Sequence, residues 1–287
     1  MSDARIHDLG YRRYDGPRLG PSAAVLSLAR HTFGALIGRR RSVWAKILTV
    51  AVAGFAYAPA LVFLGFILLV PRELSDAVMP GGEEFLGILA LPVLLFVVLG
   101  SPVALCPDRR SRLLSLYLAS PLSRDTYLLA KAAAVATFLA IVTIGPNLLL
   151  LLGSILLGVG PVGIGDTLVA VLRVLGAGAV LSLLFGGLSL ALSALSDRRT
   201  AAAAAVALWL IGSGTVVRGV LVQRLQWPDA WGLLDVTSAS SEAVLRIYGG
   251  PGDLDIGTPA VLLAALAWIG GTAAFTRWRY RALEVTR

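Results

Sequence analysis

The chain has 287 residues, 57% of them hydrophobic and only 15% charged, with a net charge of +8 and a mean hydropathy of +0.80, which excludes an ordinary soluble domain. In a soluble protein that positive surplus would point to nucleic acid. Here the apolar runs reach roughly 20 residues, enough to cross about 30 Å of hydrocarbon, so the surplus reports sidedness instead.

Residues 1–46 are predicted as a cytoplasmic leader. Their apolar run begins too late for a cleavable signal, and the same objection removes Arg39-Arg40-Arg41 as a twin-arginine export signal. The stretch from Tyr11 to Arg18 is turn-rich, basic and aromatic, a patch suited to headgroup contact. Val25, Leu28, Ala29, Phe33, Leu36 and Ile37 then share one helical face, with Ser27, Arg30, His31 and Gly34 on the other. That pattern predicts an interfacial elbow helix before the chain turns into the bilayer at Trp44.

Six spans are predicted, at about 47–70, 85–106, 131–159, 167–195, 201–221 and 258–278. The fold class is therefore an all-α membrane protein, with a six-helix transmembrane domain over 47–278 and a tail over 279–287. Between the second and third spans lies a polar segment, 107–130. Asp108 suits an N-cap for a helix over 109–119, and Ser120-Pro121 should stop it. Ser123 then caps a second helix with Asp125 in its first turn, where the dipole favours an anion. Leu113, Leu114, Tyr117 and Leu118 would form an apolar surface fenced by Arg109, Arg110 and Arg112. Such a surface is either a handle for another protein or an amphipathic ledge resting on headgroups.

In the third span, Gly145-Pro146 predicts a kink, and Asn147 is the most polar side chain deep in any span. An interhelical hydrogen bond and a cargo contact are its two readings. The fourth span carries Gly178, Ser182 and Gly186 four residues apart, and Gly187 with Ala191, a stripe for close packing within the subunit or at a dimer seam. Arg173 and Arg218 sit near the outer ends of the fourth and fifth spans, placed to snorkel outward or to line a vestibule for an anionic cargo. The loop 222–257 is too long for a mere turn. It holds Leu225, Trp227, Trp231 and Leu234 in an amphipathic part, and a short helix over 240–248 ended by Gly249-Gly250. Helices dipping into the outer leaflet are expected, with Trp227 and Trp231 in the outer aromatic belt and Trp44 and Trp278 in the inner one.

Orientation follows from the basic residues. The leader through Lys46, the segment 108–131, Arg198-Arg199 and the tail from Arg277 together hold 20 of the 25 Lys and Arg, whereas the opposite loops hold ten of the 17 acids. Both termini are therefore expected in the cytoplasm of an inner-membrane, multi-pass protein. No Asp, Glu or His lies in the middle of a predicted span, and both histidines, His7 and His31, fall in the leader. This disfavours an ion-coupled carrier, a metal site and an intramembrane hydrolase. The lone Cys106 excludes an intrachain disulfide.

Asp108-Arg109-Arg110-Ser111-Arg112-Leu113-Leu114, then Ser120-Pro121-Leu122-Ser123-Arg124 and Lys131, form one motif set; the second is Leu192 to Arg199 followed by the alanine run at 201–205. On these motifs and the topology, over nearly its full length, the chain resembles the integral membrane subunits of type-2 ATP-binding-cassette exporters. A glycine often seen before the leucine pair is replaced here by Ser111-Arg112. The resemblance implies a permease with an elbow helix, a cytoplasmic coupling helix and short outer re-entrant helices. It would move cargo by alternating access, driven by two separate cytoplasmic ATPase subunits and paired with a second copy or a paralogue. Arg109, Arg110, Arg112, Leu113, Leu114, Leu116, Tyr117 and Pro121, with Arg198 and Arg199, would form the ATPase-coupling surface. Asn147, Ser213, Thr215 and Arg218 would line the cargo path. ATP and its magnesium would belong to the partner, with no cofactor on this chain, which reads no G-x-x-x-x-G-K-[ST]. Membrane lipids, and no nucleic acid, complete the expected partners. A membrane-anchoring or assembly subunit without transport is the alternative from a different class; an ion-coupled secondary transporter is a third reading.

Overall fold

In hydrocarbon every backbone N–H and C=O must find its partner inside the segment, which leaves helices as the solution for long apolar runs in one chain. The computed structural model describes residues 20–39, 43–71, 74 and 79–282, and among them the regular structure is entirely helical. Six helical stretches are long and apolar enough to cross a membrane: Lys46–Leu69, Ala90–Arg110, Arg124–Leu156, Ile164–Ser193, Arg199–Arg224 and Thr258–Arg281. The chain is a multi-pass membrane protein. The Tyr11-to-Arg18 patch, Arg40-Arg41, the side chain of Trp44 and the last five residues of the tail lie outside the described residues.

The helices in chain order are α1 (Pro21–Leu36), α2 (Val43–Leu69), α3 (Gly82–Ile88), α4 (Ala90–Leu95), α5 (Cys106–Arg110), α6 (Leu114–Leu118), α7 (Arg124–Leu156), α8 (Ile164–Ser193), α9 (Arg199–Ser213), α10 (Val236–Tyr248) and α11 (Thr258–Arg281). Helix α1 lies against the third span, with Phe33 6.4 Å from Phe138 between ring centroids. Its buried face differs from the one expected. Leu28 and Leu36 are buried, but so are Thr32 and Gly34, while Ile37 is exposed. Gly34 is covered by the stem of Arg39, so a position that reads as polar faces carbon.

The second span is broken. A wide π turn, Phe96–Gly100, is followed by a 3₁₀ turn, Ser101–Val103, before α5. Pro102 has no N–H to donate, and in the five-residue spacing of a π turn the carbonyl it leaves is that of Val97. Ser101 Oγ donates to that carbonyl at 2.7 Å, and Ser189 Oγ, from α8, lies 3.1 Å from the same carbonyl and in contact with Ser101 Oγ, its one hydrogen going to one of the two. The defect in one span is thus closed by the next-but-one span.

The small-residue stripe of α8 packs inside the subunit on two sides. A Cβ on Gly178 would collide with Ile144 of α7, and one on Gly186 would sit 3.4 Å from Leu139 of α7. Gly187 instead faces Thr272 of α11. Thr143 Oγ1 donates to the Leu139 carbonyl of its own helix at 2.9 Å and lies 3.3 Å from the Gly178 carbonyl and from Ser182 Oγ, so the polar contact between α7 and α8 belongs to Thr143. Asn147, expected to bond across helices, is buried and donates back to the Thr143 carbonyl of its own helix at 2.9 Å.

At the acidic end, α10 begins four residues before the predicted start because Asp235 caps it, accepting from the Ser238 N–H at 3.0 Å. Gly249, at φ +89°, ends it as predicted. The Gly250 N–H reaches the Leu245 carbonyl at 2.8 Å, a Schellman closure that needs the left-handed residue glycine supplies. Trp227 and Trp231 pack together, 4.9 Å between centroids, and both remain partly exposed.

Candidate functional site

The segment between the second and third spans is two pieces and not one helix. Helix α5 ends at Arg110, Arg112 takes φ +53°, and α6 restarts at Leu114. A left-handed conformation costs an L-residue about 1–2 kcal/mol. It falls within Ser111-Arg112, the pair that stands where a glycine is often seen before the leucines.

The first piece is anchored. Asp108, expected as an N-cap, is instead buried inside α5; Lys131 Nζ lies 2.7 Å from its Oδ2 and Tyr127 donates its hydroxyl to the same oxygen at 2.8 Å. The ammonium also sits 5.4 Å from the Tyr127 ring centroid and 5.9 Å from that of Tyr117, within cation–π reach. Tyr280 of α11 joins the stack, 6.0 Å from Tyr127. Burial, and after it the Asp108 carboxylate, push the Tyr117 phenol above its ordinary range. Arg109, assigned to the coupling surface, turns inward and donates to the carbonyl of Ala194 in the turn between the fourth and fifth spans. Cys106 leans on the same turn, its Sγ 3.5 Å from the Ser196 carbonyl.

The second piece is presented outward. No residue of α6 is fully buried, and Leu116 is 67% exposed. Leu114 and Tyr117 pack against the core and Leu113 and Leu118 are half-buried, so the apolar surface open to a partner is narrower than the expected four residues. Arg110 and Arg112 are exposed beside it, as are Pro121, Arg198 and Arg199. The capping prediction at Ser123 holds: its hydroxyl accepts from the Thr126 N–H at 3.1 Å, and the Thr126 hydroxyl accepts from the Ser123 N–H at 2.8 Å. The helix it starts does not stop before Lys131. It continues as the third span, a single run of 33 residues through Pro146.

The residues predicted for a cargo path do not converge. Asn147 is committed to Thr143. Ser213 donates to Asp235 Oδ1 at 2.6 Å, Thr215 donates back to the Ile211 carbonyl at 2.8 Å, and Arg218 lies 3.7 Å from Asp253. Ser213 marks the start of an 11-residue π stretch, Gly214–Arg224, in the outer half of the fifth span. Burial favours the neutral Asp235 carboxyl, but bonds from Ser213, Thr237 and Ser238 outweigh it and hold the group below the usual carboxylate range. The sequence reading missed a cleft at this end. It holds about 280 Å³ between the second span, α8 and α10, with Glu83, Thr237, Ser240 and Ser241 among apolar walls that include Leu94 and Phe185. Beside it the Tyr248 phenol is pushed up to about 12 by burial, then by Glu83, with Arg173 acting the other way. The only advance sign was Glu83-Glu84 at a helix start after Gly81-Gly82.

No group of His, Cys, Asp and Glu suited to a metal occurs among the described residues. A comparison with curated proteins returned no match. Residues 76–276, from before the second span into the sixth and including the whole of 107–130, match the family described as ABC-2 family transporter protein. With six apolar spans and that match over more than half its length, the chain belongs to the ABC-2 transporter family.

Proposed function

We propose that this chain is the permease subunit of an ATP-binding-cassette exporter, moving a cargo across the cytoplasmic membrane by alternating access. Two separate ATPase subunits supply the work, and a second copy or a paralogue completes the pore. The basic end faces the cytoplasm, a placement that the distribution of Lys and Arg supports. One observation carries the reading: the ledge is divided into a block locked to three spans and a pad left open. Asp108, Arg109 and Cys106 fix α5 to α7 and to the 194–196 turn. Helix α6 meanwhile offers Leu116 to an outside partner, with Arg110 at the end of α5 and Arg112 in the link exposed beside it. A contact that pushes the pad therefore loads the whole transmembrane bundle, which is what a bistable interface driven from a remote site needs.

The test uses the chain reconstituted with its ATPase. A reporter cysteine replaces Leu94 in the acidic-end cleft and Cys106 is changed to Ser, so that labelling reads outward opening. ATP should alter the labelling rate in the parent. Arg110→Glu with Arg112→Glu should weaken that ATP response about 5–150-fold, the range of ordinary coupling free energies, with ATP hydrolysis retained. ATPase binding without any ATP-dependent change at position 94 would instead identify an anchoring subunit.

A further inference from the structure

At the basic end a groove of about 290 Å³ opens between the third, fourth and sixth spans. Its walls are carbon. Leu128, Leu129, Ala132, Leu190 and Ala273 line it, and Leu129 is 62% exposed. The two threonines in the wall offer little polarity: Thr272 donates to the Trp268 carbonyl at 2.8 Å and Thr276 to the Thr272 carbonyl at 2.7 Å, so both hydroxyls are spent on their own helix. At the low end of the roughly 300–1,000 Å³ typical of ligand pockets, the groove suits a single hydrocarbon tail better than a folded cargo.

Charge gathers at its mouth. Arg277 binds Asp125 through Nε at 2.8 Å and through its terminal nitrogen at 2.6 Å, and Arg281 reaches the same carboxylate at 3.1 Å. Arg124 donates only to neutral carbonyls, those of Tyr280 at 3.1 Å and Arg281 at 2.8 Å. Three guanidiniums thus gather around one carboxylate, which pairs with two of them. Arg277 and Arg281 remain more than half exposed, at 54% and 58% of the side chain, with N–H donors to spare. Lys131, also in the wall, is buried and already paired with Asp108. Trp278 sits next in sequence to Arg277 and is 63% exposed, and an exposed tryptophan at the end of a span marks headgroup depth.

We propose that this groove binds an anionic glycerophospholipid of the bilayer, one acyl tail along the leucine and alanine wall and the phosphate on Arg277 and Arg281. The inference follows from the membrane placement of the spans and stands apart from the coupling reading, since it makes no use of α6 or of an ATPase. Charge complementarity selects the occupant. A basic pocket between spans at headgroup level, over a dry apolar slot, matches a phosphate joined to a hydrocarbon chain. A zwitterionic lipid would bring its own cation against the arginines, and a free anion would leave the slot without an occupant. Asp125 works against the phosphate and orients the guanidiniums that receive it.

Native mass spectrometry of the purified full chain, titrated with phosphatidylglycerol and with phosphatidylcholine of the same tails, tests this. The expected result is a preference for phosphatidylglycerol that collapses about 30-fold in Arg277→Ala/Arg281→Ala, on the scale of one surface-charge contribution per arginine. Asp125→Asn is the control that separates lipid from architecture. As a lipid site, the variant keeps or tightens phosphatidylglycerol binding. If the arginines serve only to tie α7 to α11, it weakens binding alongside the arginine double variant, and the proposal falls. Leu129→Trp, which fills the slot, should weaken the lipid while leaving glycerol phosphate unaffected. Equal binding of the two lipids by the parent chain, or glycerol phosphate competing as strongly as the intact lipid, would also overturn it. Thermal melting within a few degrees of the parent establishes that each variant is folded.

Discussion

Removing one member of the Asp108–Lys131 pair should damage this protein more than removing both. The two charges lie 2.7 Å apart, with only 11% and 4% of their side chains exposed. At an effective dielectric near 20 their attraction is about 6 kcal/mol, most of which offsets the cost of taking both ions out of water. Lys131→Met strands a buried carboxylate with only Tyr127 to serve it, and Asp108→Asn strands a buried ammonium among tyrosine rings. Each single change should cost about 3–5 kcal/mol. In Asp108→Asn/Lys131→Met the amide still accepts from Tyr127 and the methionine fills the lysine's volume, so the double variant should lie within about 1 kcal/mol of the parent. For a chain of this size that is a fall of about 6–20 °C in each single variant and only a few degrees in the double. Melting followed by the fluorescence of the six tryptophans in detergent would measure it. The two single effects adding in the double variant, or either single variant melting within 2 °C of the parent (about the shift for under 1 kcal/mol), would show that the pair does not fix α5 to the third span.

Arg112→Gly should leave stability unchanged or raised by up to about 1 kcal/mol, because relief of the left-handed strain exceeds the entropy glycine adds to the unfolded chain; a clear loss of melting temperature would mean that φ +53° is not strained. Gly178→Val should cost about 1–3 kcal/mol, or more, by driving methyls into Ile144, whereas the same change at Gly54, which faces open space, should cost only what lipid contact costs. Asp235→Asn should cost about 1–2 kcal/mol at neutral pH, because the amide still caps the helix but loses the charge-assisted bonds from Ser213, Thr237 and Ser238. The sign for pH follows from its depressed folded value: the ionised group's contribution is complete above about pH 4 and is lost as pH falls through the lower folded value, so melting from pH 6 to 3 should show a shallower acid decline in the variant than in the parent.

The spans were legible because a run of apolar residues long enough for the bilayer has few other uses, and all their ends fell within five residues of expectation except the start of the third span, which lies seven residues earlier. Ser123 and Gly249 were legible for a related reason, since a cap and a left-handed stop are local chemistry. What escaped was every feature whose partner is distant in sequence. Asp108 before a helix reads as a cap, and only the third span, 23 residues further on, shows it to be half of an ion pair with Lys131. Arg109 reads as one of three fence posts until Ala194 takes its guanidinium. The π turn at Phe96–Gly100 depends on Ser189, 88 residues beyond Ser101. The partners of the proposed cargo-path residues were illegible for a simpler reason: short polar side chains in spans bond to their own helix when nothing else is offered, as Thr215 and Asn147 do.

The distribution of breaks says where motion is absorbed if α6 receives the push. The third span runs unbroken for 33 residues, and it is tied to the fourth through Thr143, Gly178 and Ser182 and to the sixth through Asp125. Those three helices move most cheaply as one body, because bending any of them would break backbone bonds that lipid cannot replace. The second span differs. It changes helical form at Leu89, Phe96 and Ser101, and its π turn is held by two hydroxyls as well as by its own ladder. Exchanging one π turn for an α turn shifts the residues above it by about 100° around the axis and about 1.5 Å along it. The walls of the acidic-end cleft that come from this span, Ala90, Val93 and Leu94, lie directly beyond that turn. Ser101→Ala with Ser189→Ala should therefore alter labelling of a cysteine at position 94 with no nucleotide present, while leaving the proposed ATPase contact at α6 intact. Unchanged labelling would place the bend elsewhere, and the π stretch of the fifth span beside Asp235 would be the next segment to examine.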